Sequence, residues 1–176
     1  RYNPGGKLPS TFPKTVGQLP YNFPHKTSSQ LEQPMKLPER FVSRVNGPLY
    51  PFGYGLSYTD FEYSGLEISP ETAGADSNVK VSFTLKNVGD HKGDEVAQLY
   101  ISDVTASVVT YEKRLRGFER ITLEPGESKK LEFVLAPKHL AIFDRDMKHV
   151  VEPGKFLVFA GSSSEDLRLK GEFRVE

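Results

Sequence analysis

The chain contains no cysteine and no tryptophan, carries no formal net charge and has no long apolar run, and each absence removes a class of explanation. Without cysteine there are no disulfide staples and no thiolate metal sites, so stability must come from a packed core. The compartment stays open, because many exported bacterial domains also lack cysteine. Lys plus Arg equals Asp plus Glu at 23 each, which leaves no basic field for nucleic acid and no acidic tail. No apolar stretch approaches the roughly 18 residues of a membrane span, and no charged-then-apolar leader opens the chain. A sequence beginning RYNPGG reads as one that has lost upstream residues, so a missing signal peptide says nothing about secretion.

What is present falls into three stretches. From Arg1 to Pro48, prolines at 4, 9, 13, 20, 24, 34, 38 and 48 leave no gap for an ordinary helix, and each removes a backbone donor that a sheet interior needs. This predicts an extended irregular arm. It still carries Leu8, Phe12, Val16, Leu19, Tyr21, Phe23, Leu37 and Phe41, too many apolar side chains for a freely solvated tail. Leu8, Phe12, Leu19 and Phe23 are expected to look exposed within this chain and to face another surface.

Residues 49–60 form the second stretch, centred on Pro51 to Thr59, PFGYGLSYT. Laid out as an extended segment, it places Phe52, Tyr54, Leu56 and Tyr58 on one side and Gly53, Gly55, Ser57 and Thr59 on the other. Two glycines permit positive φ or close backbone approach, so the stretch reads as a strap docked on a surface, with Phe52, Tyr54 and Tyr58 touching the following domain or flanking its edge. The plainer alternative is an edge strand opening that domain.

Residues 61–176 alternate. Phe61 to Ile68 opens the pattern, and Val79, Val81, Phe83 and Leu85 then alternate with Lys80, Ser82, Thr84 and Lys86, as in a half-buried strand. Glu95 to Ser102 is apolar at most positions on both sides, as in a more central strand. Gly117 to Leu123 and Leu131 to Leu135 flank a PGE turn and read as a hairpin. Leu140 to Phe143 suggests one helical turn, and Phe156 to Ala160 and Leu167 to Val175 close the series. About seven strands at this spacing predict an all-β, immunoglobulin-like antiparallel sandwich. Its expected core is Val81, Phe83, Leu85, Leu99, Ile101, Phe133, Leu135, Phe156, Val158 and Phe173. The missing Cys and Trp markers favour the fibronectin type III-like variety over a true immunoglobulin domain.

Chemical constellations are sparse. Asp90, His91, Asp94 and Glu95 crowd one loop and could be imagined around a cation, against the plainer reading of a polar hairpin loop. Asp144 and Asp146 resemble a carboxylate pair, but no pocket-forming residues accompany them. His25, His91, His139 and His149 are scattered without HExxH spacing. Ser162 to Ser164 lack a GxSxG frame and fit a turn before the last strand. No residue is therefore assigned a catalytic, cofactor or metal role.

The succession NPGGKLPSTFPKTVGQLPYNFPHK, GPLYPFGYGLSYTDFEYSGLEIS, KVSFTLKNVGDHKGDEVAQLYISD, KRLRGFERITLEPGESKKLEFVL and EPGKFLVFAGSSSEDLRLKGEF resembles the C-terminal part of glycoside hydrolase family 3 enzymes, in particular exported bacterial β-glucosidases. The resemblance covers essentially the whole chain. It implies that residues 1–48 are the tail of an incomplete α/β sandwich domain, 49–60 a linking strap and 61–176 a fibronectin type III-like domain. It also implies an upstream barrel and α/β domain as partners, a β-glucoside or oligosaccharide as the parent enzyme's substrate, and a periplasmic or extracellular location. The family's retaining mechanism uses two carboxylates, and in the family both precede the segment that resembles Arg1. The expected function is thus a non-catalytic scaffold within a β-glucosidase that removes terminal non-reducing β-D-glucosyl residues. The competing readings are a carbohydrate-binding module, weakened by the lack of Trp, and a plain interaction module or homodimer.

Overall fold

The computed structural model describes residues 3–26 and 47–176. Leu37 and Phe41 lie outside these, as does the rest of the arm's central stretch. Ten strands follow the strap: β1 (Phe61–Ser69), β2 (Thr72–Ala73), β3 (Val79–Asn87), β4 (Gly93–Asp103), β5 (Arg114–Leu123), β6 (Ser128–Leu135), β7 (Ile142–Phe143), β8 (His149–Val150), β9 (Gly154–Gly161) and β10 (Leu167–Val175). A single helical turn, α1 (Pro137–Leu140), interrupts them. Three strands in the order β1-β3-β6 make one sheet, five in the order β2-β10-β9-β4-β5 make the other, and β7 and β8 form a small separate hairpin. All the long pairings are antiparallel, as a two-sheet sandwich of fibronectin type III-like design requires.

The period-two pattern decides which side chains enter. On β3, Val79, Val81, Phe83 and Leu85 are fully buried while Lys80 and Lys86 point to water. From the opposite sheet they meet Leu99, Ile101, Phe156, Val158 and Phe173, with Phe156 and Phe173 stacked at 5.3 Å between ring centroids. Nine of the ten expected core residues are buried. Phe133 is half-buried instead, because it lies at the open side of the sandwich, stacked on Phe83 at 5.8 Å and closing over Gly117.

Three local expectations are corrected. The PGE turn does not make a hairpin: β5 pairs with β4 in one sheet and β6 with β3 in the other, so residues 124–127 carry the chain across the sandwich. The turn is tied to the end of β3, with Gly126 N–H donating to the Asn87 carbonyl and Asn87 N–H to the Glu127 carbonyl. The Asp90–Glu95 region is likewise a crossing between sheets, from β3 to β4, and not a hairpin loop. The helical turn sits at Pro137–Leu140, begun by a proline whose missing donor costs nothing at that position, while Ile142 and Phe143 are already strand.

The strap is not an extended segment either. Gly53 adopts φ +79°, which turns the chain after Phe52 and breaks the alternation. The residues before and after it pair with the arm: Leu8 N–H donates to the Tyr54 carbonyl, Gly53 N–H to Leu8, Phe12 N–H to Tyr50 and Leu49 N–H to Phe12. Buried Gln18 closes this ribbon by donating from Nε2 to the Gly47 carbonyl.

Candidate interdomain docking site

The outer face of the five-stranded sheet explains why Glu95 to Ser102 reads as apolar at most positions on both sides. Its inner residues, Ala97, Leu99 and Ile101, enter the core, while the outward Gln98 and Tyr100 are also buried, because arm and strap lie across them. Gln98 donates from Nε2 to the Gly53 and Ser162 carbonyls, at 3.2 and 2.6 Å, and its Oε1 accepts from the Tyr100 hydroxyl. Phe23 stacks on Phe52 at 4.7 Å and meets Tyr100 edge-on at 5.6 Å. Burial pushes the Tyr100 phenol well above its ordinary pKa, so at neutral pH it is a hydrogen-bond donor. Ser164 N–H completes the contact by donating to the Phe52 carbonyl.

Both glycines of the strap are required by this approach. A Cβ on Gly53 would stand 2.1 Å from Gln98 Oε1, and one on Gly55 would stand 2.4 Å from the Gly6 carbonyl oxygen. At the near end of the sandwich, Lys7 Nζ pairs with Glu95 Oε1 at 2.9 Å, both side chains largely shielded, and Val96 N–H donates to the same oxygen. Burial raises the Glu95 pKa and Lys7 opposes the rise. Asn3 Oδ1 accepts from the Tyr58 N–H at 2.7 Å and its Nδ2 donates to Ser57 Oγ, which pins the start of the arm to the end of the strap.

The opposite side of the ribbon is uncovered. Phe12 is 45% exposed, Leu19 58%, Val16 83%, Leu56 69% and Tyr58 68%, and Leu49 and Tyr50 are exposed beside them. Lys7, Leu8, Phe12, Tyr50, Tyr54 and Leu56 line a shallow apolar groove here. One expectation about side chains is corrected by this arrangement. Leu8 and Phe23 are half-buried, Phe23 because it takes part in covering Tyr100. Of the three strap aromatics, Phe52 is wedged between the arm and the sheet, Tyr54 leans on Tyr50 at 5.1 Å, and the mostly exposed Tyr58 stands beside His91 and Lys92 at the edge of the sandwich.

The sequence candidates for chemistry do not converge. Asp94 is held by Arg120 and Thr122, hydrogen bonds that keep its carboxyl below the ordinary range. Glu95 belongs to Lys7, His91 is exposed and contributes its backbone carbonyl to Asn87 Nδ2, and Asp90 is exposed. Among the described residues no three His, Cys, Asp or Glu side chains gather as metal ligands would. Asp144 accepts the N–H groups of Asp146 and Lys148, which makes it a turn residue. His25 faces Glu112 at 3.7 Å, His139 Nδ1 accepts the Ala136 N–H, and His149 lies against Phe143. Ser162 Oγ donates to Asp166 and Ser163 Oγ accepts the Glu165 and Asp166 N–H groups, so the serine run shapes the β9–β10 turn. Sequence reasoning missed Gln98, Tyr100 and Lys7. The signal available was the outward parity of Gln98 and Tyr100 on a strand with no solvent face.

The fibronectin type III-like domain family matches residues 95–164. A periplasmic β-glucosidase of Salmonella typhimurium is 44% identical over 177 residues, which are 99% of this chain and 23% of that protein. A putative β-xylosidase of Formosa agariphila is 43% identical and is matched over 22% of its length. The crystal structure of a β-glucosidase from Listeria innocua in complex with glucose superposes with a TM-score of 0.89 at 38% identity, covering 98% of this chain and 24% of that one. The chain thus spans about a quarter of the length of the relatives it matches.

Proposed function

We propose that this chain, which belongs with the C-terminal part of glycoside hydrolase family 3 β-glucosidases and carries their fibronectin type III-like domain, is the non-catalytic scaffolding portion of an exported glycosidase. The observation that supports this reading is the ribbon of arm and strap. One side is bonded to the sandwich through Gln98, Phe52 and the Lys7–Glu95 pair, and the other presents Phe12, Leu19, Leu56 and Tyr58 uncovered. A contiguous apolar face of this kind is where a further protein surface fits. In this reading the covering surface is the α/β domain of the same polypeptide, and the barrel lies beyond it. The two carboxylates of a retaining mechanism also lie outside this chain.

A β-glucosidase and a putative β-xylosidase match this portion almost equally, at 44% and 43% identity. Sugar selectivity then resides in the other three-quarters of the enzyme, and terminal β-D-glucosyl residues are the proposed substrate of the whole. The periplasmic Salmonella relative supports an exported location. The purified 176-residue chain is expected to leave an aryl β-glucoside unhydrolysed, while the full-length enzyme turns it over. Turnover by the chain alone, abolished by a substitution within it, would sink the reading. Retention on a β-glucan affinity gel would instead favour a carbohydrate-binding module.

A further inference from the structure

The open side of the sandwich, between β5 and β6, holds a positive charge that no described residue neutralises. Here Gly117 lets Phe133 close over β5, since a Cβ would stand 2.6 Å from the Phe133 ring. Beside it, Arg114 and Arg116 project toward α1. Arg114 is satisfied: its Nη1 and Nη2 donate to the Ala141 and Leu140 carbonyls at 3.4 Å, at the end of the helical turn, and Asp103 supplies a favourable field. Arg116 is not. Its Nε is sealed from solvent with no hydrogen-bond partner, its Nη groups are not sealed, and no described residue pairs with it.

Neighbouring groups sharpen the imbalance. Burial and the like charge of Arg114 pull the Arg116 pKa down to about 10, so it stays protonated at neutral pH, with no counter-charge among the described residues. The nearby imidazole of His139 is held neutral by burial and by Lys138 and Arg116, and its Nδ1 is already used by the Ala136 N–H. Of the acids flanking this segment, Glu119 faces Lys129 at 3.5 Å and Glu112 faces His25 at 3.7 Å, and neither pairs with Arg116. A half-buried guanidinium is costly unless an anion meets it. With the Arg114 donors engaged on carbonyls, one guanidinium end remains accessible, and its N–H groups fit the two oxygens of one planar carboxylate, the anion that protein side chains supply.

We propose that Arg116, flanked by Arg114, receives a carboxylate, supplied in the full-length enzyme by an aspartate or glutamate side chain from outside residues 1–176. The source rests on the reading of this chain as about a quarter of a larger glycosidase.

The test is an acetate titration at constant ionic strength, with chloride as the balancing anion, followed by NMR of arginine Nε–H groups and of the Gly117 amide. In the 176-residue chain, acetate is expected to move the Arg116 Nε–H signal saturably. The Gly117 response should vanish in Arg116→Met and saturate at several-fold higher acetate in Arg116→Lys, which keeps the charge and loses the fork. In the full-length enzyme the Arg116 signal should already be displaced and acetate should move it no further. A linear response, or an equal one in Arg116→Met, would overturn the site. A saturable response in the full-length enzyme equal to that of the isolated chain would overturn the intramolecular source. Neither readout depends on glycosidase activity, so failure here is distinguishable from failure of the scaffold reading.

Discussion

Gly55 touches the arm backbone to backbone, and Gly6 on the other side of that contact has open space where its own Cβ would be. The two glycines therefore respond differently to the same substitution. Gly55→Ala must displace the Gly6 carbonyl and is expected to cost about 1–3 kcal/mol, as overpacking does. Gly6→Ala should be near neutral in thermal melts of the same protein. Glu95 and Asp94 make a second contrast, in pH. Because burial raises the Glu95 pKa, the folded state holds that proton more tightly than the unfolded chain. Its contribution is full below 4.5, the ordinary value, and fades as pH rises. Glu95→Gln should accordingly gain on the wild type between pH 4.5 and 7. The depressed pKa of Asp94 has the opposite sign, so Asp94→Asn should lose ground to the wild type as pH rises through 3.8. Melting temperatures across this range check both, and parallel curves would contradict the assignments.

At the scale of elements, the sandwich is joined by crossings as much as by hairpins, and Asn87 at the end of β3 holds two of them. Its Oδ1 accepts from Thr59 Oγ1 and Gly89 N–H, and its Nδ2 donates to the His91 and Leu123 carbonyls. The side chain is fully buried, and its bonds to Thr59 Oγ1 and the Leu123 carbonyl are made away from water. Asn87→Ala would orphan a hydroxyl, an amide and two carbonyls at once and is expected to cost roughly 3 kcal/mol. Asn87→Asp should be worse, because a carboxylate would face the two carbonyls. A fall in the urea midpoint with an unchanged slope is the result to look for, and a midpoint within error of the wild type would mean that the crossings are held otherwise. Neither crossing was legible in the sequence. A PGE turn between two alternating runs reads the same whether the runs pair or face each other, since both arrangements send the same side chains inward.

For the whole molecule, the ribbon's outward face sets the expectation. Phe12→Ser, Leu56→Ser and Tyr58→Ser combined should lower dye binding and any self-association of the 176-residue chain, since they remove apolar surface that is uncovered there. In the full-length enzyme the same three changes should lower the melting temperature and shorten the life of activity, because on the proposed reading another domain covers this surface and the substitutions would leave polar groups or voids in the contact. An effect confined to the isolated chain would show that this face stays in water in the parent enzyme.

The sequence by itself determined the sandwich, its core and the irregular character of the arm over residues 3–26. Period-two burial and proline placement are local properties, readable residue by residue, and nine of ten core positions followed from them. It also indicated that Gly53 and Gly55 serve close approach, although the turn at Gly53 means that the strap's two-sided pattern was not that of an extended segment. Only the tertiary structure decided which strands share a sheet, that Gln98 and Tyr100 are capped by the strap, and that Arg116 meets no anion among the described residues. These depend on what stands opposite a side chain across dozens of residues of sequence, and hydrogen-bonding capacity and charge are the same in the sequence whether or not a partner arrives.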